Sequence, residues 1–240
     1  LIVNHKYKFI FLKVSKAAGS STEAFLRKFC QEGDVVTPLT KQEEYEIQSL
    51  GLCPPMGFKK IRGQASIIDR VNIALGDKKT IKKCCIYAHS SASDVKEYVG
   101  DDIWNSYYKF CILRDPVDRV LSQYFWTAAN KSWGDSVSDF NLRFEKFLES
   151  RYFEVLKYKS QDIVAINGKS AVDYIIDYRQ LEKSLAEIIN HLGIDCDEII
   201  LPRFKSVQRP PGEFQKFINT QQRDLIMRTF DFEARLLEAK

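Results

Sequence analysis

Phe9-Ile-Phe-Leu-Lys-Val-Ser-Lys16-Ala-Ala-Gly19-Ser20-Ser21-Thr22 passes from an aromatic and aliphatic run, through a turn of small residues, into a helical pattern. A strand that feeds a helix in this way builds an anion cradle. The first N–H groups of a helix have no intrahelical acceptor, and the helix dipole adds positive potential at the same point. Lys16 brings an ammonium, Ser20 and Ser21 bring hydroxyls, and Ala17, Ala18 and Gly19 leave room for backbone to approach a phosphate. The alternative is a tight, Ser-capped turn with Lys16 on the surface.

Outward from this stretch, short β-rich runs alternate with helical ones, which predicts an α/β fold: a central, mostly parallel sheet flanked by helices, in P-loop-like layers. Lys8–Val14 is the expected first strand and Ser20–Cys30 the helix after it. Lys83–Ala88, Lys109–Arg114 and Asp173–Asp177 are the next three strands. Pro116 opens a helix through Val120, Leu121 and Tyr124, and a further helix through Leu181, Leu185, Ile188 and Leu192 ends at Gly193. Stretches 33–60 and 126–170 are expected to be excursions, with a helix near Phe140–Leu148, and Thr220–Lys240 a helical tail. The 240 residues suit one domain spanning 1–240.

A second strand-turn-helix stretch is Phe110-Cys-Ile-Leu-Arg114-Asp115-Pro116-Val-Asp118-Arg119-Val-Leu-Ser122. Arg114 leaves a strand end and Ser122 lies two turns into the next helix. An arginine fork with a nearby hydroxyl suits a second phosphate. A salt-bridged turn with Arg119 as partner is the competing reading. The first stretch departs from GxxxxGK[ST], since its Lys precedes the Gly, which argues against an ordinary ATPase or GTPase.

Composition excludes less than the motifs do. Hydrophobic residues are 45% and charged residues 28%, enough for a real core, and the net charge of +4 is too small for a general nucleic-acid binder. No run reaches eighteen apolar residues, and Lys6, Lys8 and Lys13 interrupt the first fourteen, so neither a transmembrane helix nor a signal peptide is visible. The six cysteines lack CxxC spacing, with Cys84–Cys85 expected in a buried strand. They read as reduced core thiols, which favours a reducing compartment. His5, His89 and His191 have no chelating spacing, so no metal is expected.

Residues 8–25 resemble the 5′-phosphosulfate loop, and residues 110–124 the 3′-phosphate segment, of sulfotransferases that use 3′-phosphoadenosine 5′-phosphosulfate (PAPS), in particular the carbohydrate 2-O- and 4-O-type. Asp173–Glu182 resembles their late strand and helix, and Leu201-Pro-Arg203-Phe-Lys205-Ser206 their late basic loop. This sequence has Ser15 where that family usually has Pro, Ala17 where Thr is common, and Lys13 where His or Arg often stands. The resemblance implies transfer of a sulfuryl group to a hydroxyl, releasing adenosine 3′,5′-bisphosphate (PAP), with Golgi membrane anchoring common in such enzymes. Lys16 would stabilise charge growing on the 5′-phosphate, and Arg114 and Ser122 would hold the 3′-phosphate. His89, expected just past the Lys83–Ala88 strand, is the candidate base, or alternatively a residue at the cap of the following helix. Asp94 is a second candidate base, more at home in that helix's first turn. Arg203, Lys205 and Ser206, with Arg209, could fold over the nucleotide or stay solvated. Trp104, Trp126, Trp133, Phe153 and Tyr158 could line a sugar-binding cleft or fill the core, and none is assigned. Other readings are a Mg²⁺-dependent small-molecule kinase recruiting Asp115 or Asp118, and a non-catalytic nucleotide- or glycan-binding module.

Overall fold

The computed structural model describes residues 1–61, 65–129, 140–158, 160–202 and 214–239. The elements in chain order are β1 (Ile2–Asn4), β2 (Phe9–Leu12), α1 (Gly19–Leu26), β3 (Val35–Val36), α2 (Lys41–Ser49), α3 (Ile67–Ala74), α4 (Lys78–Cys84), α5 (Ala92–Val99), α6 (Asp101–Ser106), β4 (Tyr108–Leu113) and α7 (Pro116–Ala129). Then follow α8 (Phe140–Leu148), α9 (Arg151–Tyr158), α10 (Ser160–Val164), the hairpin β5 (Ala165–Ile166) and β6 (Lys169–Ser170), β7 (Tyr174–Asp177), α11 (Leu181–His191), α12 (Thr220–Thr229) and α13 (Asp231–Glu238).

Five strands form the main sheet in the order β3-β1-β2-β4-β7. β2 pairs parallel with β4, and β4 parallel with β7. β1 is antiparallel to both β2 and β3, so four strands run one way and only β1 opposes them. All four residues of β2 are buried, as are Lys109–Leu113 of β4, because a parallel strand covered on both faces needs a continuous apolar run rather than alternation. Phe9, Phe11 and Phe110 pack ring to ring across the β2–β4 pair, with centroids 5.7 and 5.4 Å apart. Parallel direction puts the carboxyl ends of β2, β4 and β7 on one edge, the usual place for a ligand in such sheets.

The turn chemistry accounts for most helix starts. Thr40, Ser66, Ser91 and Asn219 each form a reciprocal capping box with the residue three positions on. Asp115 accepts the Asp118 N–H at 2.8 Å where Pro116 opens α7, and α11 ends before Gly193 at φ 63°. A second apolar cluster gathers α7, α8, α9 and α12 around Tyr124, whose ring meets Phe140, Phe144 and Phe147 edge-on.

Three expectations need correction. Lys83–Ala88 is not a strand: Cys84 ends α4, and Cys84 and Cys85 pack with Ile73 in a small separate core. Asp77 caps α4, its side chain accepting the Thr80 N–H at 2.8 Å, and this commits the Lys-rich segment that follows it to helix. The stretch 33–60 contains α2, and the expected Ser20–Cys30 helix tightens after Leu26 into a 3₁₀ turn at Arg27–Phe29. The tail is helical, as expected, and consists of α12 and α13.

Candidate functional site

A cleft of about 700 Å³ opens at the carboxyl edge of the sheet, lined from the turn after β2, from Arg114 after β4, and from Tyr178 after β7. Lys16, Ala18, Gly19, Ser20 and Ser21 line it together with His89, Arg114 and Ser122, so the two motifs read from sequence share one space. Ala17 is the exception: its side chain is fully buried in the main core. Arg203, Lys205 and Ser206, with Arg209, Trp133 and the side chain of Tyr158, lie outside the described residues.

The cradle is built from backbone. Lys16 and Ala18 adopt positive φ, 63° and 56°, on either side of Ala17. This alternation folds successive N–H groups into the concave arrangement that receives anions. Ala18 is the N-cap of α1 and offers no side-chain acceptor, and there is no acidic residue in the first turn. The start of α1 therefore has no capping side chain, and its positive dipole end lies at the cleft that Gly19, Ser20 and Ser21 line.

Two arginines hold this strained turn. Arg119, 2% exposed, donates from Nε to the Ser15 carbonyl at 2.9 Å and from Nη1 to Ser160 Oγ at 2.5 Å. Its Nη1 also lies 3.7 Å from Glu233 Oε1 on α13. In a trans peptide the carbonyl and the following N–H point opposite ways. Drawing the Ser15 carbonyl down to a buried guanidinium therefore turns the Lys16 N–H away from the interior. Arg114 donates from Nη1 to the next carbonyl, Lys16 O, at 3.3 Å. Its Nε bonds Asp118 Oδ2 at 2.5 Å, and its guanidinium lies 4.2 Å from the Tyr178 ring centroid. The salt-bridged turn therefore exists, but it pairs Arg114 with Asp118, while Arg119 braces the loop from below.

His89 reaches the cleft from the connection between α4 and α5, not from a strand. A turn closed by Ser90, whose N–H bonds Tyr87 O at 3.0 Å and whose hydroxyl accepts the Tyr87 N–H at 2.9 Å, presents it. Its Nδ1 lies 2.8 Å from the Lys13 carbonyl oxygen. A carbonyl only accepts, so Nδ1 carries the proton and Nε2 keeps its lone pair. Burial, with the Lys13 charge adding to it, holds the imidazole down to about 3, so the ring is neutral at pH 7. Asp94 is occupied in the capping box with Ser91. His5 and His191 pack against Tyr107 and Tyr108, away from the cleft.

Sequence reading left Lys13 without a role, and the structure gives it one. Its side chain is buried, lines the cleft and pairs with Glu23 Oε2 at 3.0 Å. Glu23 in turn meets Arg27 Nη2 at 3.0 Å, and Arg27 meets Glu44 of α2 at 2.8 Å. Burial pushes the Glu23 carboxyl up, but Lys13 and Arg27 are among the cations that override it and hold it at about 2. This chain of charges ties α1 to α2, whose start at Thr40 and Glu43 forms another wall of the cleft. It also explains Gly19: a Cβ there would stand 2.7 Å from Lys13 Cγ. The glycine makes room for the lysine stem. Trp126, one of the aromatics left unassigned from sequence, lines the cleft, with Lys16 Nζ 5.1 Å from its ring centroid, and Tyr178, which sequence reading missed, lines it too. Tyr178 directly follows β7, so its place past a parallel strand end was the available signal.

The sequence pattern of a family described as "Sulfotransferase family" matches residues 1–196. A stretch of 101 residues, 42% of this chain and 79% of the other, is 27% identical to an uncharacterized protein of Archaeoglobus fulgidus. A crystal structure of a sulfotransferase from Alicyclobacillus acidocaldarius aligns over 97% of this chain and 94% of its own at 15% identity, with a TM-score of 0.43.

Proposed function

This chain belongs to the sulfotransferase family, and from that premise we propose that it moves a sulfuryl group from PAPS to a hydroxyl of a carbohydrate, as one domain over 1–240. The observation that carries the reading is the meeting of Arg114 and the Lys16 turn in one cleft, bridged by the 3.3 Å bond between them. Two anion-binding elements on one space suit a donor with phosphates at both ends of one nucleoside.

The roles follow from chemistry at each position. The S–O bond to the 5′-phosphate breaks, a new S–O bond forms to the acceptor oxygen, and the acceptor proton passes to His89 Nε2. Lys16 and the first-turn N–H groups of α1 stabilise the charge left on the departing phosphate. Arg114 and Ser122 hold the 3′-phosphate and fix register. The negative charge of the bound donor raises the proton affinity of His89 at the step that uses it. Arg203, Lys205 and Ser206 complete the donor site in this proposal.

The test is transfer of radiolabelled sulfate from PAPS to a panel of oligosaccharides in the presence of a chelator. Saccharide-dependent release of PAP is expected. Phosphoryl transfer from ATP that requires Mg²⁺ would assign the cleft to a kinase instead, and donor binding without turnover on any acceptor would make it a binding module.

A further inference from the structure

The α3–α4 hairpin carries two features that the transfer reaction does not use. Ile67, Ile68, Val71 and Leu75 are 81, 72, 52 and 79% exposed. At about 100° per residue these four share one arc of α3, opposite Ile73, which faces the small core with Cys84 and Cys85. The helix is thus apolar on both sides, and among the described residues only one side is covered by protein. Single exposed aliphatics are ordinary; four on one arc are a contact surface.

The second feature is charge. Residues 59–83 hold eight Lys and Arg against two Asp, a net of +6, while the whole chain carries only +4. Arg70 and Lys79 are exposed on the hairpin itself, whereas Lys83 pairs with Asp69 at 3.2 Å on the side of α3 away from the arc. An apolar arc bordered by cations is the pattern of a helix that lies in the headgroup plane of an anionic bilayer. A sugar chain or a nucleic acid would satisfy the cations and leave the aliphatics wet. A second copy would oppose one strongly basic face to another. No helix among the described residues is long and apolar enough to cross a membrane, so contact would be at the surface.

We infer that the α3–α4 hairpin docks this protein onto an anionic lipid surface, with Ile67, Ile68, Val71 and Leu75 among the acyl chains and the flanking cations at the phosphates.

The experiment is flotation of the full chain with phosphatidylcholine vesicles, with and without phosphatidylserine. The wild type is expected to float with the anionic vesicles about tenfold more strongly than with the neutral ones, and to be released by salt. Ile68→Ser/Leu75→Ser and Arg70→Glu/Lys79→Glu should each remain in solution, with circular dichroism unchanged because all four side chains are exposed. No flotation of the wild type, or equal flotation of the serine variant, would overturn the inference. So would a concentration-dependent dimer in sedimentation that the serine variant abolishes, which would assign the arc to a second copy. None of these readouts depends on donor binding or turnover.

Discussion

Arg119 on α7 and Ser15 in the turn after β2 are joined by a 2.9 Å hydrogen bond from a guanidinium that is 2% exposed. Through it the helix of the second motif holds the backbone of the first. Arg119→Met should cost about 3–5 kcal/mol in urea denaturation, since one partner of a buried ion pair is removed and Glu233 is left alone. Arg119→Met/Glu233→Leu should recover much of that loss while donor affinity stays weakened, because the Ser15 carbonyl remains unheld. Full recovery of both would mean that Arg119 serves packing only.

The elements that were legible in sequence are those whose signals are local. β2 and β4 announce themselves by unbroken apolar runs, and α7 by the Asp115-Pro116 start. The Lys16 turn was readable because small residues, a cation and hydroxyls coincide between a strand and a helix. Cys84–Cys85 misled because a five-residue apolar run, Cys84–Ala88, fits a buried strand and a buried helix end equally well. The Asp77–Thr80 cap was the better signal. β1 and β3 are too short, at three and two residues, to show periodicity. The Lys13–Glu23–Arg27–Glu44 chain was hidden because long-range pairing, not spacing, decides which charges are buried.

Gly19→Ala tests the link between the cradle and Lys13. The added Cβ would stand 2.7 Å from Lys13 Cγ, and because the stem is held at Glu23 it cannot swing freely aside. A loss of about 1–3 kcal/mol on thermal unfolding is expected, together with weaker binding of PAP. An unchanged melting temperature would show that the lysine has room to move.

His89→Ala should lower turnover by about 10²–10⁴-fold, the range for a general base. PAP affinity should change little, because the phosphates are held by the Lys16 turn and Arg114. Loss of affinity equal to the loss of rate, by calorimetry and steady-state assay, would make His89 a positioning residue for the Lys13 backbone instead.

Stability should fall with acid in a defined order. His89 is lowered from 6.5 to about 3 and Glu23 from 4.5 to about 2. In each case the unfolded chain binds the proton first, so the stabilisation is complete above the unfolded value and disappears as pH falls through the folded one. Urea midpoints should therefore drop below pH 6.5 and more steeply below 4.5. His89→Gln should flatten the first limb and Glu23→Gln the second. A variant with an unchanged profile would remove that residue from the account.

The most direct test is calorimetric titration of the metal-free protein with PAP, set against ADP and AMP. The wild type should bind PAP at least tenfold more tightly than either, and Arg114→Ala should erase that preference, a loss of about 1.5–3 kcal/mol for one charge-assisted contact. Equal affinity for ADP and PAP, or an Arg114→Ala variant that still discriminates, would contradict the assignment of Arg114 to the 3′-phosphate and with it the two-phosphate cleft.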